Sequence, residues 1–569
     1  MADERDQERL ADIVRKCGAS RNDRIRKAGA RKLWFQRGTD MSGEPAVYNK
    51  LKSHIRLLSS YLYAPDSVRF SLKLPVVDRA RFAKESEVAR DEFLDIWRDS
   101  GADVLFAQQV DAALVYASTI AKILPDPNVG VRQTNVESVD FGVLREDEPS
   151  LDRQEAFCHW FAMSLGEVEE WTRGHPQQAS IMKWAREHAS PATHEQRYPN
   201  MMSQVIVSNI SGTFPAQRAT GITNFGTIGD ERPRTEEPLV EVCEVWEGVH
   251  YEMKVETATG QKHVRYRDFA VSTLIGDWPI LERRNPVLPY VVGGGDTECL
   301  FEAEVPFVPI RPIPLLDYFW GESELDPLLR LQMLREKTLD EVDSLLARMA
   351  DPAGLVSGVV GATDEKIKAL RSPGGWMQTS QPGGKIEPML PPDVTDKLYT
   401  FMDRIDAMFA DQAGIPEILA GAQGAQQRSG DQVSAMANIA VGRIRKQALY
   451  IEDDLEVLAT RMFHVLQRND AVKYQPEGGE PFLLADLPAA TTIKVSAHSA
   501  SPVYADQVQQ KAAMLLKAGA IDLPTFVDLM DPPHRDVLRE KAKDLQKAQA
   551  ENAQKRMQIE VMKAQRRRG

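Results

Sequence analysis

The strongest constraint on the fold is a helical pattern that stops and then starts again. Leu398, Phe401, Met402, Ile405, Met408 and Phe409 recur at helical spacing over residues 393–413. The pattern ends in "AGIPEILAGAQGAQQRSG" and resumes over 431–468 as one helix of about thirty-eight residues, read from its spacing. Pro416 disfavours helical geometry at Ile415, and Gly414 suits a left-handed helix cap, so local chemistry ends the first helix. From Ala422 to Gly430 no large apolar side chain occurs. The linker therefore has nothing of its own to bury, and the two helices must be placed by other parts of the chain.

A second long helix precedes this pair. "ESELDPLLRLQMLREKTLDEVDSLLARMA", from Glu322, carries a stripe of Leu325, Leu328, Leu329, Leu339, Val342, Leu346 and Met349, with Ser323 as the expected cap. Between the two lie residues 351–392, where β-prone pieces alternate with Pro-Gly-Gly turns, the pattern of a small β-containing module inserted between helices.

Upstream the chain mixes elements. Residues 1–64 read as helical, with Leu51, Ile55, Leu58 and Leu62 on one face. "SVRFSL" reads as a strand, and 79–99 and 103–124 as two amphipathic helices. "VGVRQTNVESVDFGV" leans to strand, and 151–189 to helix, with Phe157, Trp160, Phe161 and Leu165 as one apolar set. Residues 210–238 read as loop. "LVEVCEVWEG" alternates through Val240 and Val242 and slips at Val245, and "HYEMKVETATGQKHVRYRDF" reads as a hairpin with Thr259-Gly260 at its turn. "VPFVPIRPIPLLDYFWG" holds four prolines and reads as extended. "ATTIKVSA" is a short strand, and 505–569 reads as helix ending in a polar tail. The expected class is α+β, mainly helical.

The totals exclude several functions. With 569 residues the chain has room for several domains; 43% hydrophobic and 27% charged residues fit a globular protein. A net charge of −13 argues against a general nucleic-acid coat, though not against a protein past which DNA slides. Cys17, Cys158, Cys243 and Cys299 form no CxxC pair, which points to reduced, buried thiols and not to zinc or a disulfide framework. The charged start "MADERDQERLADIVRK" does not read as a signal peptide. The apolar stretch 104–124 carries Gln108, Gln109 and Asp111, too polar for a bilayer centre.

Enzyme signatures fail. "PGGKIE" lacks the Ser or Thr of a phosphate loop, and the glycines at 293–295 have no helix behind them. No GxSxG or HExxH occurs, and the ten histidines show no metal-ligand spacing. His159 and Cys158 read as structural, and Asp453-Asp454 as a solvated helix face. No catalytic residue, metal or cofactor is expected.

The order from 315 onward, together with "YFWGESELDPLLRLQ", "FADQAGIPEILAG" and the upstream "YNKLKSHIRLLSSYLY" and "FAQQVDAALVYASTIAKI", resembles the portal proteins of tailed bacteriophages, the head-to-tail connectors, over residues 45–470. The resemblance implies a portal-like fold: a wing over 1–320, a first stem helix over 322–350, a clip over 351–392, a second stem helix over 393–413, and a tunnel loop over 414–430. It continues with a long wing helix and return β segment over 431–504 and a helical crown with a polar tail over 505–569. The placement of 151–235 departs from the shortest family members. It further implies a homo-oligomeric ring, a dodecamer, in a virion vertex assembled in the host cytoplasm, with no membrane. The implied partners are terminase, head-tail adaptor proteins, capsid and scaffolding proteins, and double-stranded DNA in the channel.

Under that resemblance Gln423, Gln426, Gln427 and Arg428 would face DNA, touching phosphate without holding it. Without it, the same loop reads as ordinary surface. The clip would dock partners through Arg371, Trp376, Met377 and Lys385; Trp376 and Met377 serve equally well as that module's own core. Seven acids against four bases over 322–350, and five against two over 393–411, would give a channel that repels DNA; the other reading is an outer solvated face. The final "RRRG" is a solvated tail or a contact for packaged DNA. Outside the resemblance stand two alternatives, a soluble helical scaffold or adaptor and a hydrolase with an unrecognised site.

Overall fold

The computed structural model describes residues 4–37, 48–65, 68–191, 238–257, 260–285, 290–292, 300–302, 304–350, 353–357, 385–389, 395–414, 430–469, 472–476, 480–488, 490–495, 512–530, 538, 541–542 and 544–545. Helix and sheet are mixed, and the chain divides into two compact units. One holds 1–58, 109–122 and 135–443; the other holds 59–108, 123–134 and 444–569.

The first unit is built on a six-stranded antiparallel sheet of β4 (Phe141–Val143), β5 (Ala156–Ser164), β7 (Pro238–Thr257), β8 (Gly260–Ile275) and β9 (Trp278–Arg284) in that order, with β6 (Ser190–Pro191) also pairing β7. Both faces are covered. On one, α1 (Glu4–Cys17) buries Leu10 and Cys17 against Cys158, Trp160, Cys243, Val245 and Leu274. Gly142 is required beneath it, since a Cβ there would meet the Cys17 carbonyl at 2.5 Å and the Trp160 ring at 2.8 Å. On the other face, α6 (Leu165–Trp171) and α7 (Gln178–His188) cover Met163, Val240, Val242 and Ile275. Beside them Phe141, Phe157, Trp246, Phe269, Phe307 and Phe319 form an aromatic cluster, with Phe157 stacked on Trp246 at 5.5 Å.

Two-sided burial explains two departures from the expected elements. Ala156–Ser164 is a strand, not part of a helix: Phe157 enters the aromatic cluster while Cys158 enters the α1 side, so neither period shows. For the same reason Val245 involves no slip; the pairing of β7 with both neighbours is continuous from Val242 to Glu247. The expected helix over 103–124 also divides. α5 (Ala102–Tyr116) ends where Ala117 takes φ +82, and β2 (Thr119–Asp126) follows, beginning with the β-branched Thr119-Ile120. β2 pairs β12 (Phe307–Ile310) on one side and β3 (Gly130–Glu137) on the other.

The expected hairpin at 250–269 is present and longer than the pattern suggests: β7 and β8 pair from Val242↔Ile275 to Thr257↔Gly260. A two-residue turn at Gly276-Asp277 leads into β9. β10 (Tyr290–Val292) and β11 (Leu300–Glu302) form a separate small hairpin, with β11 close to β8 but outside its ladder.

In the second unit, β1 (Phe70–Lys73) pairs β15 (Thr492–Val495). Phe70 stands edge-on to Phe93 and Trp97 of α4 (Ala83–Asp99), both at 5.3 Å, and Phe93 meets Phe463 at 5.9 Å. Tyr63 donates to Asp103 Oδ1 at 2.7 Å. Phe463 belongs to α10 (Gly430–Asn469), whose Ile451, Leu455, Leu458, Met462 and Leu466 are buried at helical spacing. Helix appears over 512–517 and in α11 (Leu523–Met530); most of 531–569 lies outside the described residues.

Candidate assembly site

The feature with the clearest functional shape is a helix pair in the first unit. α8 (Asp326–Ala350) and α9 (Thr395–Ala413) are joined through β13 (Ala353–Ser357) and β14 (Lys385–Met389). They run antiparallel: Arg335 sits beside Asp406, and beyond the helix ends Ala353 pairs Met389.

The start of α8 differs from the expected Ser323 cap. Ser323 Oγ donates to the carbonyls of Leu114 (3.1 Å) and Val115 (2.6 Å) and accepts from Leu325 N, two residues on. The helix opens instead after Leu325, whose carbonyl accepts from Leu328 and Leu329. The hydroxyl thus fastens the lead-in to the end of α5 and leaves the helix N-terminus to Asp326. That carboxylate sits where the helix dipole favours it and takes a two-pronged ion pair from Arg31 of α2 (Arg21–Arg37), at 2.8 and 2.6 Å.

Near this end the pair is locked by charge. Asp406 Oδ1 accepts from Arg335 Nε at 3.1 Å and pairs with Lys50 Nζ of α3 (Lys50–Leu62) at 2.6 Å. Gln332 donates to Glu336 and to the Tyr48 carbonyl and accepts from Lys50 N. Burial pushes the Glu336 carboxyl above its usual range, against the pull of Arg335. His54 Nε2 lies 3.4 Å from Glu324 Oε1, both buried, with Phe409 edge-on to the imidazole.

Beyond Val342 the same stripe comes into the open. On α8 Leu346 is 45% exposed and Met349 39%; on α9 Phe401 is 40% exposed and Tyr399 similarly open, while Met408, 46% exposed, lies at the anchored end beside Asp406. One face of a helix pair anchored at one end therefore leaves its apolar stripe wet toward the other. Isolated exposed apolar residues are ordinary, but a stripe continuous with a buried seam is the usual mark of an interface.

α9 ends as the sequence reading requires. Gly414 has φ +65, and its N–H reaches the Ala410 carbonyl at 3.0 Å. The loop residues Gln423, Gln426, Gln427 and Arg428 lie outside the described residues, as do Arg371, Trp376 and Met377. Lys385 opens β14 opposite Ser357.

One polar cluster has no signal in the sequence. Lys122 of β2, His159 of β5 and Glu244 of β7 converge under the aromatic cluster: Lys122 Nζ lies 2.7 Å from Glu244 Oε2, and His159 Nδ1 lies 3.2 Å from the same oxygen. Arg283 reaches Glu244 Oε1 at 3.2 Å. Burial, then the Lys122 charge, lower the His159 imidazole to about 4, against the pull of Glu244. Burial alone would raise Glu244, but the His159 hydrogen bond and Lys122 hold it well below the usual carboxylate range. The neutral ring that satisfies this carboxylate carries its proton on Nδ1. His159 and Cys158 face opposite sides of a strand, and both are structural: Cys17, Cys158 and Cys243 are free buried thiols in one apolar cluster, while Cys299 lies outside the described residues. Among the described residues no cluster of His, Cys, Asp or Glu is arranged to hold a metal, and no helix is long and apolar enough to cross a membrane.

No family model and no curated protein matches this chain. Among solved structures it is similar to a chain of the neck of a native gene transfer agent particle computed with C12 symmetry, at TM-score 0.37 and 12% identity, over 89% of this chain and 93% of that one. It is likewise similar to a chain of the virion of a native gene transfer agent particle, at TM-score 0.37 and 12% identity, over 88% and 92%. A likeness at that level carries no inference about this chain.

Proposed function

We propose that the chain is the subunit of a portal-type ring, a non-enzymatic assembly of twelve copies at a capsid vertex through which double-stranded DNA is packaged and ejected. In this reading α8 and α9 are the stem, the β13/β14 module is the clip that docks terminase and then the head-tail adaptors, and 414–430 is the tunnel loop. The capsid and scaffolding proteins surround it, and the ring resides in the virion after assembly in the host cytoplasm. No cofactor takes part.

The observation that carries this reading is the helix pair itself: anchored at one end by Arg335, Asp406, Lys50 and Arg31, tipped by a β-hairpin, and bearing an exposed apolar stripe. A cyclic ring offers each copy a neighbour for that stripe through a heterologous interface. A soluble monomeric scaffold leaves both stripe and hairpin without a purpose.

Negative-stain electron microscopy of the full chain, paired with its native mass, tests the proposal. Rings around a central hole are expected. A monodisperse monomer or dimer across a range of salt would overturn it. Deleting Ala422–Gly430 should keep the ring and impair DNA packaging or retention.

A further inference from the structure

Three thiols meet beneath α1. Cys17 ends that helix, Cys158 stands in β5 and Cys243 in β7, and all three are free and buried in one apolar cluster.

The strand register decides which two can join. Cys158 lies opposite Val245 and Trp160 opposite Cys243, so Cys158 and Cys243 are diagonal neighbours on adjacent strands. Diagonal neighbours stand about 7–8 Å apart, beyond the roughly 4.4–6.8 Å between Cα atoms that a disulfide spans. Each strand is also held by a ladder on both sides, so neither can close the gap. Cys17 is placed differently. Gly142 pairs directly with Cys158, and a Cβ on Gly142 would meet the Cys17 carbonyl at 2.5 Å. The last turn of α1 therefore stands on the sheet beside Cys158, and a helix end can shift where a ladder cannot. Burial, then the neighbouring Cys17 and Cys243 side chains, push the Cys158 thiol well above its ordinary range. With α1 seated, Cys158 is a neutral thiol and a poor nucleophile.

We propose that Cys17 and Cys158 form a disulfide that staples α1 to the sheet once the chain meets an oxidising thiol pool. α1 is held there by one short stripe, Leu10, Ile13, Val14 and Cys17, and by the Arg9–Glu247 ion pair. When the helix lifts by local opening, both thiols are wet. The Cys17 thiolate attacks one sulfur of a small-molecule disulfide such as glutathione disulfide, and one glutathione leaves, taking up the proton that Cys17 lost. Cys158, ionised in turn, attacks the Cys17 sulfur of the mixed disulfide and releases the second glutathione. Two protein thiols are oxidised, and one disulfide is reduced to two thiols. The new bond holds α1 down and so shuts out reductant as well: it is slow to make and slow to break. α1 passes at once into α2, whose Arg31 grips Asp326 of α8, so the staple bears on the mount of the helix pair. It is internal to one chain and needs no ring. In the ring reading it closes after the particle leaves the reducing cytoplasm.

The test uses the folded full-length chain, incubated with glutathione disulfide or with dithiothreitol, then alkylated under denaturing conditions. After oxidation the chain should run as a monomer on a non-reducing denaturing gel, and its digest should contain a peptide pair linked from Cys17 to Cys158, with Cys243 still alkylated. The oxidised chain should show a urea midpoint about 1 M higher, because the bond closes a long loop in the unfolded state. Cys17→Ala and, separately, Cys158→Ala should each lose that gain, while Cys243→Ala should keep both link and gain. Four alkylated cysteines after oxidation, glutathione adducts without a protein disulfide, a Cys158–Cys243 link, or a Cys17 link between two chains would each overturn the proposal. So would a Cys17–Cys158 link that leaves the urea midpoint where it was. None of these outcomes bears on the ring, which the native mass decides.

Discussion

Arg335 of α8 and Asp406 of α9 meet at 3.1 Å, and the same carboxylate oxygen pairs with Lys50 of α3 at 2.6 Å. One acid thus ties three helices together at one end of the pair. Arg335 is nearly buried, and removing Asp406 leaves its charge with only Glu336, 3.4 Å away, as an acidic partner among the described residues. Asp406→Ala should cost about 1–3 kcal/mol, discounted because the carboxylate is a third exposed. Urea unfolding of Asp406→Ala, Arg335→Ala and the double variant checks it, with the double costing clearly less than the sum of the singles. Strict additivity would remove this pair as the lock.

Gly414 answers why α9 stops where it does. At φ +65 a side chain is strained, and the N–H bond to Ala410 closes the last turn. Gly414→Ala should destabilise the end of α9 by about 1–2 kcal/mol, and Gly414→Asn by less. Hydrogen exchange in a peptide covering 405–414 should quicken several-fold in the alanine variant. Unaltered exchange would mean that the loop beyond, and not the cap, sets the helix end.

The Lys122–His159–Glu244 cluster makes the first unit acid-sensitive. Unfolded, His159 takes a proton near pH 6.5; folded, it resists until about 4. Between those values the unfolded state binds more protons, so stability falls as pH drops, by about 3 kcal/mol in all. Glu244, held low in the fold, adds loss of the same sign below the carboxylate range. Urea midpoints from pH 7.5 to 4 should therefore decline, and His159→Gln should flatten the decline between 6.5 and 4. A slope unchanged in that variant would place the sensitivity elsewhere.

What the sequence revealed and what it hid follow from how each element is buried. α8, α9 and α10 were legible because each buries one stripe, and Pro416 and Gly414 punctuate them. Ala156–Ser164 was not, since its two buried faces erase the alternation, yet Ser164-Leu-Gly-Glu167 is a capping-box pattern, and the structure forms that box at the start of α6. Reading it would have ended the supposed helix at 164. Lys122, His159 and Glu244 become neighbours only through the order of strands, which no local pattern encodes. The same holds for Asp406, whose two partners come from α8 and α3.

The exposed stripe gives the most direct test of assembly. Phe401 and Met408 lie one heptad apart on α9, each more than a third exposed in the single chain. Replacing an exposed residue should change monomer stability by only about 0.5 kcal/mol. The same replacement inside an interface core puts a carboxylate where no partner awaits it, at a cost of several kcal/mol. Phe401→Glu and Met408→Glu should therefore keep the thermal midpoint within a few degrees and abolish high-mass species in native mass spectrometry. Polar substitution on the opposite, solvated side of α9, such as Asp403→Ser, should leave the oligomer intact. If the two glutamate variants assemble as fully as the unaltered chain, the stripe is ordinary wet surface, and the contacts between copies must be sought elsewhere on the chain.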